Sequence, residues 1–94
     1  MLGVSNMPID LLIKYLRNNK KSLVDGFYEV YIVVILENAN QVFTYKEEPV
    51  VMGFEYMLQY FTNFRNQTKE TNPRLYYRSV GVFIPLGDSG LVCR

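Results

Sequence analysis

The spacing of apolar residues predicts a helix at the start of the chain. Residues 5–21 open with the capping types Ser5 and Asn6 and place Pro8 where a first helical turn accepts it. Apolar side chains then recur on one face, at Ile9, Leu12, Ile13 and Leu16. We therefore expect an amphipathic helix over residues 5–21.

The next segment has the alternation of a β-strand. Asp25-Gly26 is a turn signal, and the run Phe27–Glu37 behind it is apolar at every even position. Its odd positions are partly apolar, which is typical of a central strand with one face in the core and the other half covered. Gln41–Lys46 follows a second turn signal and is predicted to be its antiparallel partner.

The second half repeats the change from helix to strand. A helical period from about Val51 to Lys69 predicts a second helix, which Asn72-Pro73 ends. Arg74–Leu86 is predicted to be a third strand, with Gly81 as a bulge or a point of close contact. A turn at residues 87–90 and a short fourth strand at residues 91–93 would complete the chain.

These elements indicate one domain, residues 1–94, of the α+β class. The order α-β-β-α-β(-β) predicts a small single-layer sheet, mixed or antiparallel, with two helices on one face. With 49% hydrophobic residues, the composition is that of a folded domain. A net charge of +1 is too small to attract the whole protein to nucleic acid or to an acidic membrane surface.

Cysteine content and the N-terminal residues bear on location. Cys93 is the one cysteine and cannot form an internal disulfide, which indicates a reducing compartment. The first residues lack the basic start and the apolar run of a signal peptide, and the sequence contains no apolar stretch of about 20 residues. We expect a cytoplasmic protein that does not associate with membranes.

The usual catalytic parts are missing from the sequence. Histidine is absent, and no cysteine pair or carboxylate cluster has the spacing of metal ligands. Residues 87–90 resemble the GDSG string around the nucleophile of chymotrypsin-like proteases, but Ser89 has no histidine to take its proton. We interpret the string as a turn, and we expect no enzymatic activity and no cofactor.

The helices carry more apolar surface than one sheet can cover. The apolar arc of the second helix spans roughly 200°, where a packed surface helix needs somewhat over 100°. Aromatic and arginine side chains at the margins are typical of interfaces, so we expect a homodimer or higher oligomer and a protein partner. The predicted partner-binding residues are Leu11, Tyr15, Tyr56, Tyr60, Arg74 and Tyr76.

A basic group offers a second interpretation. Arginine and lysine interleave with tyrosine around the second helix and third strand, a mixture that can hold phosphate and stack bases. Candidate phosphate-binding residues are Arg65, Lys69 and Arg78, beside Arg74. Solvated helix-end charges explain the same residues without any ligand.

The sequence therefore favours a small non-enzymatic binding module that acts through a protein–protein interface and self-associates. An inhibitor or adaptor of the kind found in phages fits this size, and the composition suggests AT-rich coding. Two alternatives remain: a nucleic-acid or nucleotide-binding protein, and a structural subunit of a larger assembly.

Overall fold

The computed structural model describes residues 7–38 and 41–86. Over these residues the strands are Met7–Pro8 (β1), Phe27–Asn38 (β2), Gln41–Lys46 (β3), Val50–Gly53 (β4) and Ser79–Pro85 (β5). The helices are Ile9–Asn18 (α1), Lys20–Leu23 (α2), Phe54–Thr68 (α3) and Pro73–Tyr77 (α4). The predicted α+β class is confirmed.

Strand β2 is the centre of the sheet. β5 pairs with β2 from Tyr28 to Val34, and β1 pairs with the outer edge of β5. On the other side of β2, β4 pairs with residues 27–30 and β3 with residues 33–38, so two short strands lie end to end along one edge. Each of these pairs is antiparallel, so the sheet is antiparallel over the part of the chain that the structure describes.

The core lies between one face of the sheet and the helices α1 and α3. Even positions of β2, from Tyr28 to Val34, are buried there because side chains alternate along a strand. The helices contribute the residues predicted from their spacing, since Ile9, Leu12, Ile13 and Leu16 of α1 are all buried. From α3 the fully buried apolar side chains are Phe54, Met57 and Phe61. Each such side chain stabilises the fold by about 1.5–3 kcal/mol relative to leaving it exposed.

Gly81 is the point of close contact between sheet and helices. It pairs in regular register with Met7 and Ile32, so it forms no bulge. A Cβ atom at this position would overlap a side-chain carbon of Leu12 and approach Phe61 to 2.8 Å. The absence of a side chain therefore allows α1 and α3 to pack directly on β5.

Three predicted boundaries are wrong. Helix α1 begins at Ile9, because Pro8 keeps an extended backbone (φ −52°, ψ 148°) and pairs with Val80 of β5. The second long helix begins at Phe54, because Val50–Gly53 pair with β2 as strand β4. The predicted start of the third strand at Arg74 is instead the short helix α4, whose N-cap residue Asn72 accepts a hydrogen bond from the backbone of Leu75.

Other predictions fall on residues that are not described. Ser5 and Asn6, the turn at residues 87–90 and the fourth strand at residues 91–93 lie outside the described ranges.

Candidate protein-binding surface

A shallow cleft of about 540 Å³ lies where β4 runs into α3. Gly53 ends the strand with an extended backbone and the helix starts at the next residue, so the chain turns sharply from sheet to helix. Phe27, the first residue of β2, pairs with Gly53, and its ring lines the cleft beside this turn. The cleft is lined by Phe27, Val51, Met52, Gly53, Tyr56, Gln59, Tyr60 and Asn63.

Three large apolar side chains of this cleft are exposed. Tyr56 is 72% exposed, Phe27 62% and Val51 56%. Tyr56 lies on the outer side of α3 because its neighbours Phe54 and Met57 turn into the core. Exposed apolar residues that occur singly are ordinary, but three around one concave surface are typical of a binding site.

Tyr60 forms the inner wall of the cleft. Its ring is partly buried and packs edge-on against Phe61, with the centroids 5.3 Å apart. Its hydroxyl donates a short hydrogen bond to Oε1 of Glu47. Burial, reinforced by this bond to a carboxylate, raises the pKa of Tyr60 well above its ordinary value. Tyr60 is therefore held in place. The helical period predicts it at the exposed margin of the helix, and the structure buries more of its surface than that position implies.

Tyr76 is not part of the exposed surface, which corrects the expectation that it lies outside the core. It is only 3% exposed and belongs to the core cluster. The backbone of α4 turns its ring inward, where it stacks on Phe64 at a centroid distance of 6.3 Å. Burial and a hydrogen bond to Asp10 raise the pKa of its hydroxyl.

The other predicted partner-binding residues do not join this cleft. Leu11 and Tyr15 are exposed on α1, at 56% and 39%, and Tyr15 also approaches the ring of Phe83. Arg74 is exposed on α4 and lines a different cleft. Of the predicted centre, the structure brings Tyr56 and Tyr60 together and places Arg74 and Tyr76 elsewhere.

The candidate phosphate-binding residues divide into two groups. Arg65 and Lys69 line a hollow at the end of α3, where Lys69 forms an ion pair of 3.3 Å with Asp10. Arg74 and Arg78 line a cleft of about 520 Å³ together with Tyr77, which is 68% exposed. The second group keeps the mixture of arginine and aromatic side chains at one place.

Phe27 and Val51 are the cleft residues that the sequence did not indicate. The helical period predicts Val51 at the start of a helix, and the four residues of β4 are too few to show the alternation of a strand. Phe27 is the first residue of β2, and its odd position could have marked it as lying on the face away from the helices.

The described residues contain no group of three or more histidine, cysteine, aspartate or glutamate side chains that could hold a metal ion. None of the helices in the described ranges has both the length and the apolar character needed to cross a membrane.

No family model, no curated protein and no solved structure matches this chain. Its function therefore has to be inferred from the surfaces described above.

Proposed function

We propose that this protein is a small non-enzymatic binding module whose partner is another protein. The observation that carries the proposal is the cleft between β4 and α3, with Phe27, Val51 and Tyr56 exposed around it. Interface energy is concentrated in a few aromatic anchors that fit into complementary pockets, and this cleft offers two exposed rings at its rim.

The cleft is held by regular structure. Its walls come from β2, β4 and α3, and Tyr60 is fixed by its bond to Glu47. A surface that is ordered before binding loses little conformational entropy in the complex, which favours affinity. We therefore expect the partner to insert an apolar side chain beside Tyr56 and Tyr60.

The test is capture of partners from native lysate by the immobilised protein, with and without nuclease. Tyr56→Ala should weaken capture of a defined partner about tenfold or more. The matched control is Tyr45→Ala, because Tyr45 is also exposed, at 63%, but lies on β3 outside the cleft. Equal binding by Tyr56→Ala and the wild type would remove this cleft as the binding site.

A second candidate function rests on the cleft between α4 and β5. Arg74, Tyr77 and Arg78 line it, so a phosphate and a stacked base could be held side by side. A fluorescent single-stranded oligonucleotide is a direct probe, since affinity based on phosphate contacts falls steeply with salt. If the wild type binds the oligonucleotide and both Arg74→Ala and Tyr77→Ala lose this binding, the result would favour this function. If the wild type does not bind the oligonucleotide even at low salt, this function is excluded.

The narrower role of a phage-type inhibitor or adaptor, and a cytoplasmic location, stay predictions from the sequence. A structural subunit of a larger assembly would be poorly soluble when expressed by itself, because an unassembled subunit leaves its apolar contact surfaces in water.

A further inference from the structure

The face of the sheet opposite the helices, here called the open face, is apolar, and neither α1 nor α3 covers it. The odd positions of β2 point to it, and none of them belongs to the core cluster that α1 and α3 cover. Strand pairing extends the same face onto β4 and β5, where Val51 and Ile84 flank Glu29, and Val82 flanks Tyr31. Its apolar members are Phe27, Tyr31, Val33, Ile35, Val51, Val80, Val82 and Ile84.

This face is built like the inner face of a two-sheet protein. Phe27 and Val51 are more than half exposed, Ile35 is 36% exposed, and Tyr31, Val33, Val80 and Ile84 are partly exposed, whereas Val82 is buried at 3%. Antiparallel sheets that face water on one side usually alternate apolar and polar residues, so that the outer face is polar. Here the outer face is mostly β-branched and aromatic, which indicates that a second apolar layer covers it.

Two charges lie on opposite sides of the middle of this face. Glu29 is in the row of paired residues that contains Val51 and Ile84, and Lys46 is in the row that contains Val33 and Val80. Tyr31 and Val82 form the row halfway between them. The ammonium group of Lys46 lies over the ring of Tyr31, 4.7 Å from its centroid, so it already points toward the centre of the face.

We propose that the layer covering this face is a second copy of the chain, related by a two-fold axis that runs across the strands along the Tyr31–Val82 row. That rotation places the Glu29 row of one copy over the Lys46 row of the other. The two sheets then pack about 10 Å apart, a gap that glutamate and lysine side chains can bridge together. Each interface contains two symmetry-related Glu29–Lys46 pairs.

The charges also exclude the other simple arrangement. A two-fold axis parallel to the strands along β2 would place Glu29 opposite its own copy, and like charges at an interface are unfavourable. Within the described residues Glu29 has no ion-pair partner, whereas Lys20–Glu55 and Lys69–Asp10 are paired. A second copy therefore supplies both the apolar layer and the missing counter-charge.

The size of the face suits a modest dimer. About 26 Å of β2 and four strand spacings of about 4.8 Å give roughly 500 Å² for each copy. Two copies would bury about 1,000 Å², which is below the usual range of about 1,200–2,000 Å² and is the size of a weak specific interface. We expect dissociation in the micromolar range, so the dimer is measurable by sedimentation equilibrium.

The test is a charge exchange read by sedimentation equilibrium of the purified full chain. Glu29→Lys and Lys46→Glu each turn two attractive pairs into repulsive ones and should raise the dissociation constant about tenfold or more. The double variant should return it to within about threefold of the wild type. Within one chain the Cα atoms of the two residues are about 14 Å apart and no ion pair joins their side chains, so the rescue reports contact between copies.

Two comparisons separate this proposal from the partner-binding cleft. Phe27 and Val51 belong to both surfaces, whereas Tyr56 lies on α3 and lines only the cleft, so Tyr56→Ala should leave the dimer unchanged. Circular dichroism melting confirms that each variant is folded. A wild type that stays monomeric overturns the proposal. The proposal would also be wrong if the charge exchange left the dissociation constant unchanged while Tyr56→Ala abolished the dimer. That result would assign self-association to the helices.

Discussion

The hydroxyl of Tyr76 donates a hydrogen bond of 2.7 Å to Oδ1 of Asp10, joining two residues 66 positions apart in the chain. The other carboxylate oxygen of Asp10 lies 3.3 Å from the ammonium group of Lys69, which also lies near the ring of Tyr76. These contacts tie the first turn of α1 to α4 and to the end of α3. They explain why Tyr76 is buried, although its neighbour Tyr77 is exposed.

Removing the Tyr76 hydroxyl should destabilise the protein without disturbing the core. Tyr76→Phe keeps the stacked ring and leaves Asp10 without one donor, so we expect a loss of about 1–2 kcal/mol in the free energy of unfolding measured by urea titration. The matched control is Glu55→Gln, which breaks the exposed Lys20–Glu55 pair and should cost less than about 0.5 kcal/mol. Equal losses in the two variants would contradict a special role for this bond.

Asp10 should make stability depend on acidic pH. The hydrogen bond from Tyr76, followed by contacts with Lys69, lowers the pKa of Asp10 below its ordinary value of 3.8. A lowered pKa in the folded state means that the contribution is fully present above the unfolded pKa and is lost as pH falls through the folded pKa. Urea titrations of wild type and Asp10→Asn should therefore differ at neutral pH and converge in acid, once the pH lies below the folded-state pKa of Asp10. A difference that persists unchanged into strong acid would contradict this assignment.

Gly81→Ala should be among the most damaging single-methyl changes in the chain. The new Cβ would overlap Leu12 and press on Phe61, and both are fully buried, so neither can move away freely. We expect a loss of about 3 kcal/mol, measured by thermal or urea unfolding. At Gly53 the added Cβ would be 3.7 Å from the ring of Phe27, an ordinary contact, so Gly53→Ala should change stability by less than about 1 kcal/mol.

The predictions that succeeded depend on periodicity over many residues. The helical spacing of Ile9, Leu12 and Leu16 and the alternation along β2 each involve several side chains on one face, so tertiary packing reinforces them. Val50–Gly53 failed for the opposite reason. Four residues carry no reliable period, and their strand conformation comes from pairing with residues 27–30, far away in sequence.

The candidate site shows the same division between local and long-range information. Tyr56 could be found from its angle on the helix, because that angle follows from the neighbouring core residues. Tyr76 could not, since its burial depends on a partner in α1 and on the short helix that replaces the predicted strand. The apolar odd positions of β2 are visible in the sequence, but that α1 and α3 both pack on the other face follows only from the structure.

Replacing each of three aromatic residues of α3, Tyr56, Tyr60 and Phe61, should show by the loss of stability which of them belong to the core, to the wall of the cleft and to its rim. Phe61 is fully buried against Gly81, so Phe61→Ala should cost about 3–5 kcal/mol by leaving a cavity. Tyr60→Ala removes a partly buried ring and its bond to Glu47, and we expect about 2 kcal/mol. Tyr56→Ala removes a ring that is 72% exposed and should cost less than about 0.5 kcal/mol.

The Tyr60→Phe variant distinguishes the hydroxyl of Tyr60 from its ring. It keeps the packing against Phe61 and loses the bond to Glu47, so it should fall between the wild type and Tyr60→Ala, about 1 kcal/mol below the wild type. Urea unfolding of all four variants gives the order directly. If Tyr56→Ala destabilised the protein as much as Tyr60→Ala, Tyr56 would support the fold, and weaker partner binding by that variant would no longer identify the cleft as an interface.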